Sequence, residues 1–339
     1  MGTENDLMLD YLRDNRRFAD LFNGSLFAGR QVVKADALEE AGEAYTEYSG
    51  KEGERDRKKK MTATRMRDIK KLLKTGEELR ILAVEDQSQV NYIMPWRCMN
   101  YDSLEYGRQI KQIQADNQER QIYADEGERI SRFTRSNALT PAYTVCLYHG
   151  AEPWDGPRRL NEMMRFGDDE ESQLWRPYFN DYGMNLICVN ELDDFSVFST
   201  GIKELFTILG YRKDKKGMDQ FLREHDEYRH LDEDTAVVIS GLMGVGKFMS
   251  DRERYKEGSG YNMCQAIREM LDDSINQGIS QGIRQGIRQG IDLGKNQGVT
   301  LSAAVFRAIR SGLSDTQEIA AYCGCTEEDV LSVRKAFEI

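Results

Sequence analysis

Residues Leu79 to Val84 (LRILAV) form a short, mostly apolar run that stops abruptly at three polar residues, Glu85-Asp86-Gln87. A run of that length, bounded that sharply, is the pattern of a strand buried in a sheet. The segment before it, MRDIKKLL, has two readings. Met66, Ile69, Leu72 and Leu73 fit one face of a helix, or the segment is a strand paired with the next one. Pairing makes a geometric prediction. A turn centred on Gly76-Glu77 sets Thr75 against Glu78 and, counting outward, Asp68 against Glu85. Directly opposed residues have Cβ atoms about 5 Å apart, a distance at which two carboxylates share one cation. Gln87 falls on the same face as Glu85, because side chains alternate along a strand.

The rest of the first two-thirds of the chain reads as mixed helix and strand. Residues 6–22 carry apolar positions at helical spacing and stop at Asn23-Gly24. Residues 40–60 are highly charged and read as a loop or weak hairpin. Pro95 opens a long helical pattern, PWRCMNYDSLEYGRQIKQIQ, in the first-turn place that proline tolerates. Strands are expected over 142–150 and 184–190, and helices over 194–209 and 218–225. This pattern predicts an α/β domain over 1–232, followed by a connector over 233–262. From 263 to 298 the character changes. Glycines recur at 278, 282, 286, 290, 294 and 298 in a Gln-Gly-Ile-x repeat. Each glycine costs a helix roughly 1 kcal/mol relative to alanine, so the repeat is read as a spacer or as a helix paired with its own copy. Residues 299–339 look like a helix-turn-helix. Ser314 to Gln317 and Thr326 to Asp329 are the expected capping boxes, and Gly324 is the turn.

Composition narrows the chemistry. No apolar run spans a bilayer and the N-terminus is too acidic for a signal peptide, so a cytoplasmic protein without a membrane partner is expected. The six cysteines are expected as reduced, buried thiols, and three histidines with no Cys-x-x-Cys offer little for zinc. His149, His225 and His230 are expected to be structural. A net charge of −11 argues against DNA binding over the whole surface. Locally the balance reverses: Lys51 to Lys74 holds eleven Lys/Arg against four Asp/Glu, beside Asp68. That run is either a DNA-facing patch or a solvated loop of mixed charge.

Asp68, Glu85 and Gln87 are the first candidates for chemistry. Phosphodiester hydrolysis uses hard oxygen ligands to hold Mg²⁺ or Mn²⁺, which activates water and neutralises phosphate charge. Two carboxylates facing each other across neighbouring strand ends supply such ligands; the bland alternative is two ordinary charged residues at a strand end. Several motifs speak for the first option. Arg65-Met66-Arg67-Asp68, then Glu85-Asp86-Gln87, then Met94-Pro95-Trp96-Arg97 with Tyr101 one turn on, occur in order. They are joined by FADLFNGSLF, TVCLYHGAEPWDGP, MNLICVNEL and LGYRKDKKG. Together, over about residues 6–222, they resemble the recombination-promoting nuclease/transposase-like family, a branch of the PD-(D/E)XK nucleases.

The resemblance implies a restriction-endonuclease-like mixed sheet flanked by helices, here with a helical C-terminal extension. It implies that Asp68 and Glu85 hold the metal. Gln87 then stands where most PD-(D/E)XK enzymes place lysine; it can position a group but brings no charge. Arg97 is the candidate for the missing positive charge, or else a structural ion-pair partner. Asp20 is a further candidate from the first helix. The activity implied is Mg²⁺-dependent hydrolysis of DNA, with strand breakage in recombination or mobile-element biology as its setting. The alternative is a DNA-binding or oligomeric scaffold that keeps the nuclease fold without useful activity.

Two other features point elsewhere. Gly241 to Lys247 fits the first seven places of a phosphate-binding Walker loop after an apolar run, but Phe248 stands where Ser or Thr must ligate Mg²⁺. The last helix, from Thr326, carries Arg334 and Lys335 against four acids. That favours packing or oligomerisation over docking in a DNA groove.

Overall fold

The computed structural model describes residues 3–42, 44–48 and 62–338. It opens with α1 (Thr3–Leu12) and α2 (Asn15–Phe27), where one helix was expected. The break is made by Asp14, whose carboxylate accepts from the backbone N–H groups of Arg16 and Arg17 and starts a new helix. The expected stop at Asn23-Gly24 does not occur. Asn23 turns its amide outward to hold Val33, donating to its carbonyl and accepting from its N–H at 2.8 Å each, and α2 continues to Phe27. Gly24 is required by packing: a Cβ there would lie 2.3 Å from the Phe198 ring. Gly24→Ala therefore overpacks this contact. An expected loss of about 1–3 kcal/mol would be read from the urea unfolding midpoint.

The strands follow: β1 (Leu38–Glu40), β2 (Ala44–Tyr48), β3 (Thr62–Met66), β4 (Ile69–Thr75) and β5 (Glu78–Gln87). Of the two readings of MRDIKKLL, the strand is found. β4 pairs antiparallel with β5 from Ile69↔Val84 to Thr75↔Glu78, the register counted from the Gly76 turn, where Gly76 takes a φ of 63°. β2 and β3 pair with each other; β2 lies within residues 40–60, read as a loop or weak hairpin, and β3 beyond them.

After α3 (Met94–Arg120) and α4 (Glu126–Ser131) the chain enters β6 (Ala142–Tyr148). After α5 (Glu170–Trp175) it enters β7 (Asn185–Cys188). The sheet order is β1-β4-β5-β6-β7, antiparallel as far as β5 and parallel beyond it. Two parallel neighbours need a crossover between them, and α3 is that crossover from β5 to β6.

Alternation along β4 shows how the two faces are covered. Lys70 turns towards α3 and pairs with Glu105 at 3.1 Å. Lys71, fully buried, turns the other way. It donates at 2.7 Å to the Arg13 carbonyl just beyond α1 and to Asn15, and it pairs with Glu40. A cation at the end of α1 is where the helix dipole favours one. Between these layers β5 is apolar on both faces, with Leu82, Ala83 and Val84 all buried. This arrangement corrects part of the basic-patch expectation. Arg67, Lys70 and Lys71 are buried and paired, so they do not face DNA; Lys51 to Lys60 lie outside the described residues.

The remaining elements are α6 (Ile202–Gly210), α7 (Lys215–Glu224), α8 (Glu233–Met243), α9 (Gly246–Ser250), β8 (Lys256–Glu257), β9 (Gly260–Tyr261), α10 (Met263–Arg310), α11 (Thr316–Cys323) and α12 (Glu327–Phe337). Contacts divide the chain into two units, Met1–Met270 and Leu271–Ile339. Residues 233–262 are therefore part of the first unit and not a connector. Ala236, Val238 and Ile239 of α8 are buried, and Thr235 shares a 2.9 Å hydrogen bond with the Tyr11 hydroxyl. The apolar run before Lys247 is this helix, so the strand that a Walker loop must follow is not there.

In the second unit, Val305, Ala308, Ile319, Ala320, Val330 and Val333 make a small core that joins the end of α10 to α11 and α12. Gly324, with a φ of 65°, makes the turn. The Thr326–Asp329 capping box is present, whereas Asp315 and not Ser314 caps α11. Among the described residues no helix is long and apolar enough to cross a membrane.

Candidate active site

The end of β5 is where apolar burial gives way to buried charge. Glu85 and Asp86 are fully buried and Gln87 nearly so. Alternation points Glu85 and Gln87 towards α3 and Asp86 towards α1. Asp68, the residue before β4, stands beside them: its carboxylate accepts from the Asp86 backbone N–H at 2.9 Å. From the first turns of α3, Arg97 reaches across, with Nη2 3.1 Å from Glu85 Oε2 and 4.0 Å from Asp68 Oδ1. Three of the four expected site residues thus converge on one point. The fourth, Gln87, folds back on its own strand and donates from Nε2 to the Asp86 carbonyl at 2.6 Å.

The electrostatics of Glu85 follow from this placement. Burial, and then the neighbouring Asp68 carboxylate, push its pKa up from 4.5 to about 8, with Arg97 pulling the other way. Among the described residues neither Glu85 oxygen has a hydrogen-bond partner, and the Arg97 guanidinium faces one of them at 3.1 Å. A buried carboxylate left in that condition is expensive. The donor set suits a hard divalent cation, which would supply the missing positive charge between Glu85 and Asp68. Among the described residues no group of three or more His, Cys, Asp or Glu side chains gathers at metal-binding spacing. A cation held here would therefore take two protein carboxylates and fill its shell with water and phosphate oxygens, the manner of binding typical of Mg²⁺.

Around this centre lies a second set of buried polar residues that sequence reasoning did not find. Arg67, 1% exposed, donates to Thr144 and, at 2.6 Å, to Asp102 of α3. Asp102 also accepts from Thr144 at 2.7 Å and from the Tyr182 hydroxyl at 2.6 Å. This network fixes α3 to β6, and so fixes the height from which Arg97 reaches Glu85. The other face of β5 carries a buried pair, His149 Nε2 3.2 Å from Asp86 Oδ2. No spacing in the sequence signals either contact, because both cross the sheet between distant segments.

The remaining candidates are structural. Asp20 accepts from the backbone N–H and hydroxyl groups of Ser199 and Thr200, at 2.7–3.0 Å, away from Glu85. Those bonds also hold residues 199–200 out of the helix expected from 194, which begins only at Ile202. His225 stacks on Phe221 at 3.8 Å and its Nδ1 lies 2.8 Å from the Phe221 carbonyl oxygen. The six cysteines are free. Cys98, Cys146 and Cys188 pack with Met94, Tyr148 and Trp154 beneath α3, and burial pushes their thiols up. Family models, curated protein sequences and solved structures contain no match to this chain.

Proposed function

We propose that the first unit is a metal-dependent DNA endonuclease of the restriction-endonuclease-like kind, and that Asp68 and Glu85 hold the metal. The observation that carries this reading is Glu85: a fully buried carboxylate with no hydrogen bond to either oxygen among the described residues, beside a second carboxylate at a strand end. The strand order supports it too, since an antiparallel hairpin continues through a helix into parallel strands with the acids at the hairpin's mouth.

A bound Mg²⁺ or Mn²⁺ would supply a Lewis acid for the phosphoryl oxygen and an acidified water as nucleophile. The chain's own residues do the rest. Asp68 and Glu85 would hold the cation, and the Asp86 N–H keeps one Asp68 oxygen fixed. Arg97 is about one-quarter exposed, so it can leave Glu85 for a phosphate oxygen as charge accumulates there. Gln87 holds the Asp86 carbonyl and adds no charge.

Arg97→Ala is expected to cut cleavage by about 10²–10³-fold, the usual cost of losing one donor to a developing oxyanion. Mn²⁺ binding measured by calorimetry should be as tight in that variant or tighter, because a competing cation has been removed. Arg97→Lys should recover only part of the rate. If Arg97 were simply a structural partner, Ala and Lys would lower stability and leave the rate per folded molecule unchanged. The direct test of the function is incubation of supercoiled plasmid with the purified chain. Nicking or linearisation is expected with Mg²⁺ or Mn²⁺ and none with chelator; no cleavage under any divalent cation would favour the scaffold alternative.

A further inference from the structure

The Gln-Gly-Ile repeat takes no part in the site, and in the second unit its apolar residues lie on the surface. Ile275, Ile279, Ile283, Ile287 and Ile291 recur every fourth residue along α10, each 51–58% exposed. A single exposed isoleucine needs no explanation, but five in series make a continuous apolar strip. Glycines from Gly278 to Gly298 recur at the same interval, and a Cβ on any of them would meet nothing within 4 Å. Nothing among the described residues requires glycine there, although each one weakens the helix.

We infer that α10 pairs through this strip with the same strip of a second copy of the chain. The repeat itself identifies the occupant. Four residues rise about 6 Å along a helix, so a projecting isoleucine and a glycine hollow alternate at that interval. An identical helix has the same interval by construction, and a two-fold axis makes bump and hollow reciprocal. If Ile283 lies opposite Gly286 of an antiparallel second copy, Ile279 lies opposite Gly290 and Ile275 opposite Gly294. Symmetry then returns Ile287 against Gly282 and Ile291 against Gly278.

Charge selects this direction. Parallel pairing in register would stack Arg284 on Arg284 and Arg288 on Arg288. The antiparallel arrangement instead sets Arg288 opposite Gln281 and leaves one such approach, Arg284 within one residue of its own copy at the two-fold axis.

Handedness agrees with the small residues. At about 100° per residue, each fourth position lies roughly 40° beyond a full turn, so the strip winds right-handed. Glycines at every fourth place admit the close right-handed crossing known for such motifs between helices. A strip that winds this fast touches its partner over a few turns only. The area falls below the roughly 800 Å² per partner of a standard interface, so dissociation on the order of micromolar is expected.

Sedimentation velocity on the full chain, from about 1 to about 100 µM, tests this by mass action. Wild type should pass from monomer to dimer across that range, with helical circular dichroism rising as the dimer forms. Ile283→Glu combined with Ile287→Glu should stay monomeric throughout. Gly282→Ala combined with Gly286→Ala separates pairing from helix stability. Alanine favours the helix and clashes with nothing in the monomer, yet it fills the hollows, so helicity should rise while dimerisation weakens by tenfold or more. A wild type that is monomeric and fully helical at the highest concentration overturns the inference. So does a dimer that neither variant weakens.

Discussion

Glu85→Gln should be more stable than the wild-type protein at pH 8 and above, and the difference should vanish near pH 4. In the unfolded chain the carboxyl titrates near 4.5, and in the fold near 8. Between those values the native state keeps a proton that the unfolded state has released, so wild-type stability falls as pH rises. Above both values the penalty is at most on the order of 5 kcal/mol. Glutamine carries no charge to desolvate, but it gives up the attraction of Arg97, and a net gain of about 2–4 kcal/mol is expected from these opposing effects. Chemical denaturation of both proteins across pH 4–9 would show it as a sloping curve for wild type and a flatter one for the variant. Millimolar Mg²⁺ should then stabilise wild type increasingly as pH rises, since the cation competes with the proton on Glu85, and should do little for Glu85→Gln. Equal stability of the two proteins at pH 9 would mean that Glu85 is not held in a desolvated, carboxylate-flanked environment.

Arg67→Ala should destabilise the first unit by about 3–5 kcal/mol, the cost of removing one member of a buried, hydrogen-bonded charge pair. Asp102 would keep its bonds from Thr144 and Tyr182 but lose the buried cation that balances it. Removing both charges is gentler: Arg67→Met with Asp102→Leu should recover a large part of the loss, because no isolated charge is then left inside. A thermal or urea scan of the single and double variants gives the coupling directly. If the single variant loses under 1 kcal/mol, Arg67 is not a buried tie between α3 and β6.

The parts of this fold that were legible in the sequence are those set by local pattern. The Gly76 turn and the LRILAV run sufficed to place Asp68 beside Glu85, because an antiparallel register is a matter of counting from its turn. Pro95 marked the start of α3, and short, mostly apolar runs marked β6 and β7. Long-range competition decided the rest. TAVVISGLM has the composition of a strand, but Asp232 caps it and Tyr11 and α1 bury it as a helix. Residues 194–201 have helical spacing, but Asp20 claims the Ser199 and Thr200 N–H groups. The basic run near Asp68 looked like a surface for DNA, yet Arg67, Lys70 and Lys71 are partners of Asp102, Glu105 and Asn15 in the interior. Charge counted along a sequence does not say which charges are buried.

On the proposed function, Asp68 and Glu85 would hold the metal with which the protein cuts DNA. The most direct test is cleavage of supercoiled plasmid with Mg²⁺ and with Mn²⁺ by wild type, Asp68→Asn and Glu85→Gln, each first shown to be folded. Metal-dependent nicking by wild type and a loss of about 10³-fold or more in both variants are expected, because each would remove a carboxylate that orients the cation. Since Glu85→Gln is expected to be the more stable protein, its inactivity could not be ascribed to unfolding. Metal-dependent cleavage that persists undiminished in both variants would mean that Asp68 and Glu85 do not hold the metal.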